Sequence, residues 1–327
     1  MDPTTLGLMG GVLALLITAT VVVQALRRRA AGDLNPALLD TVRVRVRAWW
    51  LLFAGLAGAF LIGKIATVVL FGLIAFWALR EFITLTPTRL GDHRTLFWVF
   101  FLCTPLQFLL VGLDSAWLQA HLGASSYALY SIAIPVYALL LIPATIALSG
   151  DPKRFLERTA KIQAGLLVCV YCLSYAPALL SLELPGKEAG HNVRLLFFFV
   201  LVVQLSDALQ YAWAQLPSKH VIVPSINPSK TWEGLLGGAA STALLGAVLW
   251  WATPFRSMWV TGGMSLVVAL MGFAGSLTMS AVKRDRGVKD YGTLVEGHGG
   301  VLDRIDSLCF AAPVFFHLTQ LYLLYTA

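Results

Sequence analysis

Apolar runs about as long as a bilayer is thick recur along the whole chain and leave room for little but a membrane fold. As a helix, such a run needs about 20 residues, within a range of roughly 17–25. Candidates cover 6–26, 95–113, 126–149, 162–182, 195–216, 234–252, 259–281 and 305–325, and a longer stretch, 49–79, is interrupted at Gly63 and Lys64. Composition agrees, because 58% of the 327 residues are hydrophobic and only 13% are charged. A soluble domain has about 45–50% and 25%. The expected fold class is all-α: a polytopic integral membrane helical bundle, not a soluble, disordered or disulfide-stapled chain.

The distribution of cations sets the expected topology. Splitting 49–79 at Gly63 gives about ten transmembrane helices, and with the amino terminus outside, 20 of the 24 Lys and Arg then fall on the inner side. Leaving it whole destroys that bias, so the positive-inside rule favours the split. The first run is followed, not preceded, by Arg27, Arg28 and Arg29, the pattern of a retained anchor and not of a signal peptide. The net charge of +7 is therefore a topology signal, and no nucleic-acid partner is expected. The alternating segment Arg43–Arg47 reads as a basic juxtamembrane stretch beside Trp49 and Trp50. Cys169 and Cys172 form a CxxC without a second pair, and they read as packing residues, as do Cys103 and Cys309. Residues 1–190 form the N-terminal helices and basic linker, and 191–327 the region that carries the chemistry. The expected location is a bacterial-type cytoplasmic membrane, with both chain ends outside and the polar site facing the cytoplasm.

Polar residues concentrate in three places. The string 280–306 holds Lys283, Arg284, Arg286, Lys289 and Arg304 beside Asp285, Asp290, Asp303 and Asp306, with Gly297, Gly299 and Gly300 around His298. Glycines let a backbone approach a phosphate, cations neutralise it, and carboxylates among them suit a divalent metal. Asp303 and Asp306 share one face of the helix they open, where Asp303 could equally be a cap. Asp207 lies within an apolar run and calls for a partner elsewhere. The third place is 227–234, where Ser229, Lys230 and Thr231 precede a helix start, a natural anion site. Gly234 and Gly238, four apart, read as close helix packing. Glu81 stays ambiguous, the Asp151–Arg154 turn reads as solvated, and His93, His121, His191, His220 and His317 read as ordinary.

Ser280, Lys283, Arg284, Lys289, Asp290, Gly292, His298, Gly299, Gly300, Asp303, Arg304 and Asp306 stand at the spacing of one signature. This string resembles that of the phosphatidate cytidylyltransferases, or CDP-diacylglycerol synthases. Residues 228–238 are similar to the family's Pro-x-Lys-Thr-Trp-Glu-Gly segment, and Asp207 with Tyr211 to its Asp-x-x-x-Tyr. In the first half, only Leu79-Arg80-Glu81-Phe82 joins this resemblance. It departs where the family has Gly-Asp-Leu-x-Glu-Ser: here Gly275-Ser276-Leu277-Thr278-Met279-Ser280 lacks both acids. Glu296 replaces a proline, and Ala214–Lys219 replaces Gly-Arg-x-Phe-Gly-Lys. The chain looks like a divergent branch.

The resemblance implies transfer of the cytidylyl group of CTP to phosphatidic acid, for phospholipid synthesis among membrane lipids. It implies Mg²⁺, with room for a second cation, held by Asp303, Asp306 and Asp207, where Ser276 replaces the usual acid and Glu296 is a candidate substitute. Asp303, Lys283, His298 and Asp207 are the expected catalytic residues. Ser229, Lys230, Thr231, Arg284, Lys289, Asp290, Gly299, Gly300 and Arg304 are the expected substrate contacts. A homodimer is compatible with it. The alternatives are a CTP-dependent polyprenol kinase and a non-catalytic transporter or scaffold.

Overall fold

A computed structural model describes residues 3–29, 36–85, 88–184, 191–217, 220–255, 257–292 and 299–326. Glu296 and His298, two of the expected site residues, lie outside them. The described chain is a helical bundle: α1 Pro3–Arg29, α2 Pro36–Ile62, α3 Lys64–Thr84, α4 Leu90–Gly112, the short α5 Ser115–Leu122 and α6 Ser126–Ala147. It continues with α7 Phe155–Ser181, α8 His191–Trp213, α9 Trp232–Val248, α10 Met258–Asp285 and α11 Leu302–Thr326. Eight of these, α1, α3, α4, α6, α7, α8, α10 and α11, are long and apolar enough to cross a bilayer. The apolar part of α2, Trp49–Ile62, is shorter, and the 17 residues of α9 reach only about 25 Å. The chain is thus an all-α polytopic membrane protein, with eight full-length candidate spans among the described residues and two shorter apolar helices.

Gly63 does break the long apolar stretch. Its φ of 128° ends α2 and starts α3, a backbone conformation that L side chains rarely adopt. The Arg43–Arg47 segment is part of helix α2, directly before its apolar stretch. The four cysteines are free, with Cys169 and Cys309 buried in the core.

Close packing of small residues joins the last four helices. A Cβ on Gly234 would lie 2.8 Å from the Gln210 carbonyl oxygen of α8, and Gly238 also abuts Gln210. Gly246 abuts Ser265 of α10, and Gly272 and Gly275 lie against Ser307 and Asp306 of α11. Deeper in the bundle Phe199 stacks on Phe315 at 4.9 Å, while Tyr175 packs edge-on to Phe316 at 5.2 Å. These contacts hold α7, α8 and α11 together and fix how the polar ends of α10 and α11 meet.

A second polar centre ties the N-terminal half together. Arg158 Nε and Nη2 donate to Asp92 Oδ1 at 2.8 and 2.5 Å, and the two side chains are only 4% and 1% exposed. Arg158 Nη1 donates to the Asp151 and Lys153 carbonyls, while Asp92 Oδ2 accepts from Arg89 N at 2.9 Å. Asp151 is not a free turn residue. It accepts from Arg89 Nη1 at 2.6 Å, and this bond holds its carboxyl below the usual carboxylate range.

Candidate active site

The start of α11 exposes backbone N–H groups that have no partner inside the helix. Glu81, at the far end of α3, supplies it. Its Oε1 accepts from Val301 N at 2.9 Å and its Oε2 from Leu302 N at 2.8 Å, with the side chain buried. A carboxylate at this end also complements the helix dipole. Gly300 leaves the space these oxygens fill, since a Cβ there would collide with Oε2.

Asp303 anchors the preceding loop. Its Oδ1 receives Lys283 Nζ at 2.8 Å, and its Oδ2 accepts from both Tyr291 N and Gly300 N at 2.8 Å. Gly299 has φ +77°, and a Cβ would come within 2.6 Å of Asp303 Oδ2. Tyr291 reinforces the arrangement: its hydroxyl donates to the Met279 carbonyl at 2.9 Å, and its ring stacks on Phe82 beside Glu81.

Asp207 and Asp306 meet a few residues deeper. Ser307 Oγ lies 2.9 Å from Asp207 Oδ1 and 3.4 Å from Asp306 Oδ1, which also accepts from Ser307 N at 2.7 Å. Lys230 lies within electrostatic reach of both acids and of Lys283, with its Nζ 5.0 Å from the Phe273 ring centre. Burial pushes the Lys230 ammonium below the usual lysine range, against the opposing pull of Asp207 and Asp306.

The Lys230 segment is held in place by its own turn. Ile222 N donates to the Lys230 carbonyl and Trp232 N to that of His220, closing the loop. Thr231 caps α9 by accepting from Gly234 N at 3.0 Å, and Asn227 Oδ1 accepts from both the N and Oγ of Ser229. Asn227 Nδ2 then donates to Ser280 Oγ, and Arg284 Nε to the Ile226 carbonyl, fastening this loop to α10. His220, read as ordinary, pairs with Glu233 at 2.5 Å.

The structure thus brings Lys283, Asp303, Gly299 and Gly300 into one cluster, and Asp207, Asp306 and Lys230 into an adjacent one. Ser229 and Thr231 serve their own loop, Lys289 and Asp290 are exposed, and Arg304 is half-buried. Sequence reasoning missed Tyr291 and Ser307, gave Asn227 no role of its own within 227–234, and left Glu81 undecided. Only Glu81 carried a signal, a carboxylate at the end of an apolar run.

Among the described residues no three His, Cys, Asp or Glu side chains gather for a metal. The donor set at Ser307 nonetheless suits Mg²⁺, a hard cation that takes one or two carboxylates and completes its shell with water and phosphate. Asp303 suits it less, because its two oxygens already serve an ammonium and two amides.

A model of the cytidylyltransferase family matches residues 43–322, and the chain belongs to that family. It is 33% identical over 315 residues to the uncharacterized protein YnbB of Escherichia coli strain K12, covering 94% of this chain and 95% of that one. The phosphatidate cytidylyltransferases of Staphylococcus aureus strain COL and Staphylococcus saprophyticus are 33% and 37% identical over 129 residues. Those alignments cover 39% of this chain and 50% of each enzyme. The chain is a nucleotidyltransferase and a multi-pass membrane protein with bacterial relatives.

Proposed function

We propose that the protein transfers the cytidylyl group of CTP to phosphatidic acid at the cytoplasmic face, releasing CDP-diacylglycerol and pyrophosphate. The observation that carries this reading is the convergence of Asp207 and Asp306 on the Ser307 hydroxyl, with Lys230 beside them. A phosphate oxygen of the lipid forms a bond to the α-phosphorus of CTP, and the bond to the bridging oxygen of the β-phosphate breaks. Attacking and leaving groups are both anionic, so catalysis is mostly positioning and charge neutralisation.

Mg²⁺ bound by Asp207 and Asp306 would neutralise phosphate charge and clamp its oxygens. Lys230 and Lys283 hold phosphate oxygens as point charges. Asp303 fixes Lys283 and the glycine loop, and Glu81 fixes the amides at the start of α11. His298, which directly precedes Gly299 and Gly300 in the sequence, is assigned a hydrogen bond to the departing pyrophosphate.

The test is purified protein with Mg²⁺, phosphatidic acid, a polyprenol and CTP labelled at either the α- or the γ-phosphorus. Label from the α position should enter the lipid, and γ label should leave as pyrophosphate. Transfer of γ label to a polyprenol would replace this reading with the kinase, and no transfer of either would leave the non-catalytic one.

A further inference from the structure

One cavity among the described residues is separate from both carboxylate clusters. It has a volume of about 370 Å³ and lies between α1, α2 and α8, walled by residues that include Leu16, Trp49, Phe53, Leu201 and Leu205. That is more than twice the roughly 150 Å³ of an apolar cavity that admits benzene. One polar side chain, Gln204, enters this wall. Its amide makes no hydrogen bond among the described residues. An amide within a membrane-spanning helix, facing an apolar space, is costly unless something pairs with it.

The position of Gln204 says what that partner is. It precedes Asp207 by three residues on α8, about 4.5 Å along the axis. The cavity follows α8 away from that point, as far as Phe197. A ligand whose phosphate reaches the Asp207 site, and whose tail lies in the cavity, therefore passes Gln204 just beyond the phosphate. In a diacyl phospholipid that place is held by the glycerol ester carbonyls, which accept hydrogen bonds.

We infer that the cavity is an acyl-chain subsite, in which one fatty chain of the lipid substrate lies along α8 and Gln204 donates to its ester carbonyl. The inference rests on the proposed transfer to phosphatidic acid and adds where the lipid tail binds. Gly7 and Gly11 of α1 line the same space, and a Cβ on either would meet nothing within 4 Å. A larger side chain there would enter the cavity without disturbing the bundle.

The experiment uses the full chain in phosphatidylcholine nanodiscs and phosphatidic acid with a photoreactive diazirine in one acyl chain. Labelled peptides should include residues 197–205 of α8, and excess unlabelled phosphatidic acid should compete while phosphatidylcholine does not. Gly11→Leu should cut that labelling about tenfold and raise KM for long-chain phosphatidic acid equally, leaving KM for CTP and for a dihexanoyl substrate unchanged. Gln204→Leu, which keeps the cavity apolar, should raise KM for diacyl but not for ether-linked phosphatidic acid, which lacks the carbonyl. Labelling that misses α8, that phosphatidylcholine abolishes equally, or that Gly11→Leu leaves intact in a normally folded protein overturns the subsite. Competed labelling without nucleotide transfer would keep the subsite and reject the proposed reaction. Transfer without labelling would do the reverse.

Discussion

Two polar clusters are built into this membrane bundle, and they are finished to different degrees. Around Arg158, each guanidinium nitrogen has an acceptor close at hand: Asp92 takes bonds from Nε and Nη2, and two carbonyls take both bonds from Nη1. Around Ser307, two carboxylates approach a single hydroxyl, and the nearby ammonium of Lys230 is pulled below its ordinary range. Taking a charge out of water costs several kcal/mol unless geometry and hydrogen bonds compensate it. The first cluster supplies that compensation internally and can only hold helices together. The second brings two like charges together, which is how a site looks when a cation and a phosphate complete it.

Substituting one acid in each cluster separates the two. Asp306→Asn should lower cytidylyl transfer by about three orders of magnitude, the several kcal/mol that a metal-held charge contributes in the transition state. Its unfolding temperature in detergent should stay near that of the wild type, because Asn can still accept from Ser307 N. Asp92→Asn should do the opposite, costing about 3–5 kcal/mol of stability by leaving Arg158 uncompensated. Turnover per folded molecule should hardly change. Loss of folding in the first variant, or of turnover in the folded second, would erase the distinction.

Asp303 stands between the two cases, because it lies in the site yet is fully bonded. Asp303→Asn keeps the shape but cannot accept two amides and an ammonium together. Transfer should fall about 100-fold, less than for Asp306→Asn, through misplacement of Lys283. A loss as deep as that of Asp306→Asn, together with lost Mg²⁺ affinity, would make Asp303 a metal ligand after all.

What could be read from the residues follows the range of the interaction. Apolar length, the break at Gly63 and the glycine seams of α9 are local patterns, and the structure has them. The helical state of Arg43–Arg47 was not legible, because alternating charges there mimic a strand inside a helix that starts in polar sequence. Eight of the expected spans are long apolar helices, while the apolar part of α2 and the whole of α9 are shorter than hydropathy averaged over their flanks suggests. In the site, the signature residues were visible, but not their partners. Asp207 meets Ser307 across 100 positions, and Glu81 meets Leu302 across 221. No periodicity links such pairs. Asp303 was open to both a capping and a metal reading, and the three partners of its oxygens, Lys283, Tyr291 and Gly300, follow from no pattern in the sequence.

Glu81 gives a milder perturbation. Glu81→Gln leaves one oxygen for two backbone donors, and an unsatisfied buried N–H costs about 1–3 kcal/mol. Transfer should drop about tenfold, and amide hydrogen exchange at Val301 and Leu302 should quicken while that of α6 stays unchanged. Normal exchange with reduced transfer would mean that Glu81 acts on substrate and not on the helix start.

The smallest effect is expected at Ser276. A Cβ on Gly272 would lie 3.3 Å from Ser307 Cβ, and one on Gly275 would lie 2.7 Å from the Asp306 carbonyl oxygen. Ser276, four residues after Gly272, is on the same side of α10 and half-buried. A carboxylate there would be a third acid beside Asp207 and Asp306, repelled by them in the absence of a cation and drawn to one when it binds. Ser276→Asp should therefore unfold at a lower temperature than wild type in EDTA and gain more from added Mg²⁺. The gain grows with RT ln(1 + [Mg²⁺]/Kd), so a tenfold tighter site adds about 1.4 kcal/mol at saturating metal. Half-maximal transfer should then need about tenfold less Mg²⁺. If the variant is destabilised in EDTA and Mg²⁺ does not restore it, the added charge faces the two acids without a metal between them. The pairing at Ser307 would then be a helix–helix contact, closer in kind to the cluster around Arg158.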